Sequence, residues 1–352
     1  MTKTIKSVVR DRFSPFKTWN HFDKIIKLSN PKHFFKVFPV TVEVDPTNFC
    51  NHRCIFCNDQ KKVNRVFLKH ETMLRLIDNL KECKIKSVVL KGGGEPSAYP
   101  YLAATIDELS KEGFAIGMIT NGTYLHKHYK SLSKLDWIRV SVDAFSNYTY
   151  QKVHGCVNNI DRIFESMEYI AKEYPDTIVG ANFVVNNYNY MEIPQLIVKL
   201  EKIGVKTLNI RPPFLFEGEL KEEAWQEIDK IVNLNDSISK KVMVFSYYKY
   251  RDRDMYYTNK KWDKCRATGL IGSIGADGNV YACCALKGFK EFSFGNIKEQ
   301  SFREIWSSQK RKKVISKIGG EMCKKYCSDR LDLYNCLLAY LANQENRKNL
   351  FL

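Results

Sequence analysis

Between positions 40 and 211 the apolar residues alternate between two rhythms. Short apolar runs predict strands at Val40–Val44, Ser87–Lys91, Phe114–Thr120, Trp137–Val142, Ile178–Val185 and Lys206–Ile210. Between them, apolar residues three and four apart predict helices. These span Lys69–Cys83, with Met73, Leu74, Ile77 and Leu80 on one face, then Tyr101–Glu112, Tyr124–Lys134, Asn158–Glu173 and Ile193–Ile203. Six strands alternating with helices imply a parallel sheet with right-handed crossovers. Ligands of such sheets lie at the carboxyl ends of the strands. A partial barrel and an open doubly wound sheet share this alternation, so periodicity does not choose between them.

The flanks are less regular. Phe13, Phe16, Trp19, Phe22, Ile25 and Ile26 recur at helical spacing in an N-terminal extension, residues 1–38, that is expected to pack on the main domain. Residues 39–215 read as the core and 216–260 as a connecting segment. That segment has a helix at Lys221–Leu234, a strand at Val242–Tyr247 and a tyrosine-rich linker or lid at Tyr248–Lys261. Residues 261–345 form a cysteine-rich C-terminal region.

The strand ends hold the informative residues. Cys50, Cys54 and Cys57 follow the first strand at C-x₃-C-x₂-C spacing. Three soft thiolates on one loop suit an iron–sulfur cluster or zinc. A closed zinc site wants a fourth ligand, and a cubane on three cysteines keeps one iron open. Gly92-Gly93-Gly94-Glu95-Pro96 follows the second strand, Thr120-Asn121-Gly122 the third, and Ser141 and Asp143 the fourth. Glycines there let backbone N–H groups approach a ligand. Asn182 on the fifth strand and Arg211 after the sixth complete the set, an arginine being suited to a carboxylate or phosphate. Cys156, in Val-His-Gly-Cys, lies on the same side.

The C-terminal region holds Cys265, Cys283, Cys284, Cys323, Cys327 and Cys336. An Asp277-Gly278 turn predicts a hairpin that folds Cys265 back toward Cys283. Cys323 and Cys327 form a second close pair. A zinc ribbon is the structural alternative.

Together these motifs resemble the radical S-adenosylmethionine (SAM) enzymes with a C-terminal SPASM/twitch extension, over about residues 40–340. The resemblance implies an α/β fold, a partial (β/α)₆ TIM-like barrel of parallel strands with a small iron–sulfur domain. It implies a [4Fe–4S] cluster on Cys50, Cys54 and Cys57, with Phe56 beside it and SAM chelated at the open iron. It places Gly92, Gly93, Gly94 and Glu95 at the methionine amino group, and Thr120, Asn121, Ser141, Asp143, Asn182 and Arg211 around cofactor and substrate. One auxiliary [4Fe–4S] cluster is expected on Cys265, Cys283, Cys323 and Cys327, with Cys284 and Cys336 as substitutes. Reductive cleavage of SAM then gives a 5′-deoxyadenosyl radical that abstracts hydrogen from substrate. Cys156 is a candidate hydrogen donor, a buried or bystander thiol being the alternative, and a flavodoxin- or ferredoxin-type protein is the expected electron donor. The expected substrate is a small molecule or carbohydrate, oxidised or epimerised. A peptide is the second reading, and a non-catalytic zinc or nucleic-acid-binding protein a third.

Charge and composition refine this. The net charge is +17, with nine Lys/Arg against two Asp in residues 1–40 and a second basic run at Lys310–Lys313. Such charge reads as solvated faces or as a call for an anionic partner. Neither a nucleic-acid motif nor a transmembrane run is evident, and the N-terminus lacks a secretory core, so a cytoplasmic location is expected. Eleven cysteines in a reducing compartment suit metal better than disulfides.

Overall fold

The structure is a computed structural model that describes residues 20–57, 65–211, 220–239, 241–246, 262, 264–319, 323, 327 and 329–342. Phe13, Phe16, Trp19 and the linker Tyr248–Lys261 lie outside the described residues.

One ten-stranded sheet organises the chain, in the order β10-β9-β8-β1-β2-β3-β4-β5-β6-β7. β1 (Thr41–Val44), β2 (Ser87–Leu90), β3 (Ala115–Thr120), β4 (Trp137–Ser141), β5 (Ile178–Val184) and β6 (Thr207–Arg211) are the six expected strands. All pair in parallel with their sequence neighbours. Two further parallel strands extend this set. β7 (Met243–Ser246), in the expected connecting segment, pairs with β6, and β8 (Ile271–Ile274), from the C-terminal region, pairs with the free edge of β1. β9 (Asn279–Tyr281) and β10 (Ser293–Asn296) continue antiparallel. Gly278, at φ 88°, makes the β8–β9 turn, and Asp277 caps it by accepting the Asn279 N–H at 3.0 Å.

Alternation assigns the two sheet faces. Val42, Val44, Val88, Leu90, Ile116, Met118, Ile138, Val140, Ala181, Phe183, Leu208 and Ile210 are buried on the outer face, under the helices. The Gly122 turn touches Ile163 of α5 and Val140 of β4, which fixes that face as the helix-facing one. The opposite, inner face is unusually polar, with Glu43, Arg139, Ser141, Asn182, Thr207, Asn209 and Ser273. Trp137 closes the lower end by lying against Gly117, where a Cβ would come within 2.2 Å of its ring.

The described helices of six residues or more are α1 (Phe22–Ser29), α2 (His70–Glu82), α3 (Leu102–Lys111), α4 (Asn147–His154), α5 (Ile160–Glu173), α6 (Ile193–Lys202), α7 (Glu222–Ile238), α8 (Phe302–Ser307), α9 (Gln309–Ser316) and α10 (Asp329–Ala342). Four differ from the sequence reading. α1 buries Ile25 and Leu28 while Phe22 and Ile26 face outward. α2 buries Leu76 where Leu74 was expected. Tyr124–Lys134 is two single turns, because His128 leaves helical geometry and its Nε2 meets the Ser97 carbonyl at 3.0 Å. α4 was not expected. Its Asn-Tyr-Thr-Tyr run has low helix propensity, but Ser146 caps its start and Gly155, at φ 54°, ends it.

The basic run Lys310–Lys313 is not a uniform charged face. Arg311 is fully buried, 4.1 Å from the Trp306 ring centre and facing Phe34, Phe35 and Phe294, with Nη1 donating to the Trp306 carbonyl at 2.9 Å. It is a structural cation–π centre, so it is withdrawn from any anionic partner.

Candidate active site

The cysteine loop leaves β1 at Asp45 and is gripped from three sides. The glycine turn after β2 packs on its first half. A Cβ on Gly94 would lie 2.3 Å from the Phe49 carbonyl, and one on Gly93 2.7 Å from Asn48 Oδ1, so this approach needs glycine. The Glu95 N–H bonds to the Phe49 carbonyl at 2.7 Å. From β3, Asn121 Nδ2 donates to Asn51 Oδ1 at 2.9 Å and comes 4.0 Å from Cys50 Sγ. From α4, the His154 carbonyl accepts the Arg53 N–H at 2.8 Å, and Gly155 lies against the Arg53 backbone.

Glu95 is buried and its carboxylate is committed. It accepts from Ser97 N at 2.8 Å, Asn121 N at 2.6 Å and Thr120 Oγ1 at 2.5 Å. Burial raises its pKa, against those hydrogen bonds. Glu95 and Thr120 therefore lock two strand ends together. Asp143, at φ 52°, leaves the β4 alternation. Its carboxylate accepts the Val184 N–H and faces His154 Nε2 at 3.2 Å.

Two residues that the sequence reading left out complete the loop. His154 Nδ1 lies 3.2 Å from Cys54 Sγ and 3.2 Å from His52 Nδ1. His52 Nε2 meets Asn158 Nδ2 at 2.7 Å and Thr123 Oγ1 at 3.1 Å. Burial, and then His154, push His52 down to about 3, so it is neutral. His52 stands inside the cysteine motif and His154 two residues before Cys156. Both were visible in the sequence, yet only the fold joins them.

The donor set fits a multi-iron cluster. Burial pushes the Cys50 thiol up to about 11 and raises Cys54 further, and Cys57 adds to both. Such thiols lose their protons to a metal. Zinc, at about 2.3 Å from each sulfur, would need its thiolates about 3.8 Å apart. Among the described residues, only His52, Cys54 and His154 bring three ligand atoms within 4.8 Å of one another. The three loop sulfurs are spread more widely than that. A cubane, which takes each thiolate on a different iron, suits them better.

Phe56 stands edge-on to His154, ring centres 6.2 Å apart. Ser141, Asn182 and Asn209 form one register row across β4, β5 and β6. Arg139 is one step below, and the Asn209 amide, oxygen toward it, accepts from its Nε at 3.0 Å. Arg211 ends β6, and its Nε is buried with no hydrogen-bond partner among the described residues. Cys156 is half-buried beside the loop, within electrostatic range of Cys54. Cys83 is buried on the outer side.

In the C-terminal region Cys265, Cys323 and Cys327 are buried. Asn335 Nδ2 donates to Cys265 Sγ at 3.3 Å, and Asn335 Oδ1 accepts from the backbone N–H groups of Arg266 and Ala267. Burial first, then Cys284 and Cys265, push the Cys283 thiol well above its ordinary value. The Cys284 side bears on Lys91, which pairs with Glu43 at 2.7 Å.

Residues 44–200 match the radical SAM superfamily, and residues 265–329 match an iron–sulfur cluster-binding domain, SPASM. This chain carries a radical SAM domain followed by a SPASM iron–sulfur domain. A radical SAM enzyme with a SPASM domain uses SAM, a [4Fe–4S] cluster and auxiliary iron–sulfur clusters, and needs an electron donor. Among its relatives is the "tungsten-containing aldehyde ferredoxin oxidoreductase cofactor-modifying protein" of Pyrococcus furiosus. It is 25% identical over 75% of this chain and 80% of its own length. A probable GTP 3′,8-cyclase of Saccharolobus islandicus is 31% identical over 55% of this chain and 63% of its own length. Among solved structures, Streptococcus suis SuiB bound to SAM has a TM-score of 0.67 at 15% identity, covering 90% of this chain and 76% of that one. The anSMEcpe enzyme with bound AdoMet has 0.59 at 15% identity, covering 89% and 98%. At that identity the structural likeness concerns the fold of this radical SAM chain alone. Among its described residues, no helix is long and apolar enough to cross a membrane.

Proposed function

We propose that this enzyme abstracts hydrogen from a compact, anionic small molecule held in the polar lumen of its sheet. The observation that carries the reading is Arg211, whose buried Nε–H lacks a hydrogen-bond partner among the described residues at the carboxyl end of β6, above the Arg139 layer. A buried donor without an acceptor is costly, and an anionic oxygen from a ligand would satisfy it. Arginine suits carboxylate and phosphate by its planar fork. The sequence relatives carry names that refer to a cofactor and to GTP, which agrees with a small anionic substrate.

Cys50, Cys54 and Cys57 would hold the SAM-binding cluster, and Cys265, Cys283, Cys323 and Cys327 one auxiliary cluster. Hydrogen abstraction by a radical derived from SAM is the chemistry these groups supply when bound. The chain's own part is placement. Gly92–Gly94 bring the backbone of β2 against the cluster loop, Asn121 steadies that loop, and Arg139 and Arg211 orient the substrate. Trp137 closes the far end against water. Oxidation or epimerisation of a sugar-like substrate is the form we favour, with Cys156 as hydrogen donor in the second case. A flavodoxin or ferredoxin would supply the electron.

The test is anaerobic turnover of SAM to 5′-deoxyadenosine with dithionite, with a panel of phosphorylated and carboxylated small molecules and a panel of peptides. A small anion should raise the rate and take part in deuterium exchange with SAM. A peptide that did so while every small anion failed would overturn the reading.

A further inference from the structure

Asp45, the first residue after β1, gathers three parts of the site on one carboxylate. Its Oδ2 accepts the Gly93 N–H at 2.9 Å and also takes the ammonium of Lys287. Both side chains are buried, Asp45 at 3% and Lys287 at 8% exposure. Lys287 directly follows the short turn Cys284–Leu286, at the end of the cysteine pair of the SPASM region. The Asp45 N–H is itself anchored to the Ile274 carbonyl of β8 at 2.9 Å. Asp45 also opens the loop that carries Cys50.

We propose that Lys287 is a positioning residue for the SAM site: through Asp45 it fixes the Gly93 peptide, so that the SPASM region sets SAM affinity. The inference rests on the reading of Gly92–Gly94 as the SAM-binding turn. A three-glycine turn has wide conformational freedom and needs an outside constraint to keep one shape. Asp45 supplies it only while its carboxylate points at Gly93. Lys287 is what makes a buried carboxylate tolerable there, because a buried charge left alone rotates toward water or takes up a proton. Cys283 and Cys284 stand four and three residues before Lys287, so a metal centre seated on that cysteine pair would steady the same tether.

The experiment uses the full chain, reconstituted anaerobically, and reads SAM binding by equilibrium dialysis beside iron content. Lys287→Met should bind SAM at least tenfold more weakly while keeping wild-type iron. Lys287→Arg, which restores the cation, should stay within about threefold of wild type. If Lys287→Met folds poorly, the paired variant Asp45→Asn with Lys287→Met removes both charges and should show the same tenfold loss. SAM affinity within twofold of wild type in an iron-replete Lys287→Met or paired variant overturns the tether. Failure of the wild-type chain to bind SAM refutes instead the reading of the glycine turn.

Discussion

His154 Nδ1 stands 3.2 Å from the sulfur of Cys54, and Asp143 holds the other side of the same ring at 3.2 Å. Ligands of metal centres commonly owe their orientation to such outer partners. Polar contacts to cluster sulfurs also favour the reduced, more negative cluster. His154→Phe should therefore lower the midpoint potential of the cluster on Cys50, Cys54 and Cys57. Asp143→Asn should lower it less. Redox titration followed by electron paramagnetic resonance reads both, and an unchanged potential in His154→Phe would show the contact to be passive.

Arg139 sits in the lumen away from the cysteine loop, against Trp137 and Asn209. Arg139→Met should leave slow substrate-free SAM cleavage intact and abolish its stimulation by substrate. Loss of the basal cleavage as well would mean that Arg139 supports the barrel rather than the substrate.

Glu95 answers three donors from a buried position. Glu95→Gln turns an amide N–H₂ toward some of them. A buried polar mismatch costs about 1–3 kcal/mol. The expected result is a lower apparent melting temperature and a looser cysteine loop, read as slower iron uptake. A melting curve identical to wild type would refute it.

The adjacent cysteines 283 and 284 should separate in an iron assay. Cys283 feels Cys265, while Cys284 bears on Lys91. Cys283→Ala is expected to lose the auxiliary iron and Cys284→Ala to retain it. The reverse order would exchange their assignments.

Arg311 separates packing from surface charge. Arg311→Ala opens a large hole against Trp306, and comparable truncations cost about 3–5 kcal/mol. Alanine at Lys310, Lys312 or Lys313 should change thermal stability by about 0.5 kcal/mol or less. Equal effects from all four would refute the caged arginine.

The six strands and most of their helices were legible because each carries its own period, as α5 does with Ile160, Ile163, Phe164, Met167 and Ile170. The end of the pattern was not. β8 reads as half of a local hairpin, and nothing near Ile271 reports that its other edge joins β1. α4 was hidden by weak formers between strong caps. Within the site, spacing displayed the cysteines and glycines as a group. The roles of Glu95, Asp143 and Lys287 depend on partners far away in sequence, 242 positions away for Lys287 and Asp45.

The pairing of β8 with β1 also bears on how the chain is made. β1 is among the first strands to leave the ribosome, and the strand that covers its outer edge is among the last. During that interval the edge is an open template for other chains. Synthesis stopped before Ile271 should therefore yield an aggregating fragment rather than a smaller working barrel. The iron-binding C-terminal region is then also the closure on which solubility of the nascent chain depends.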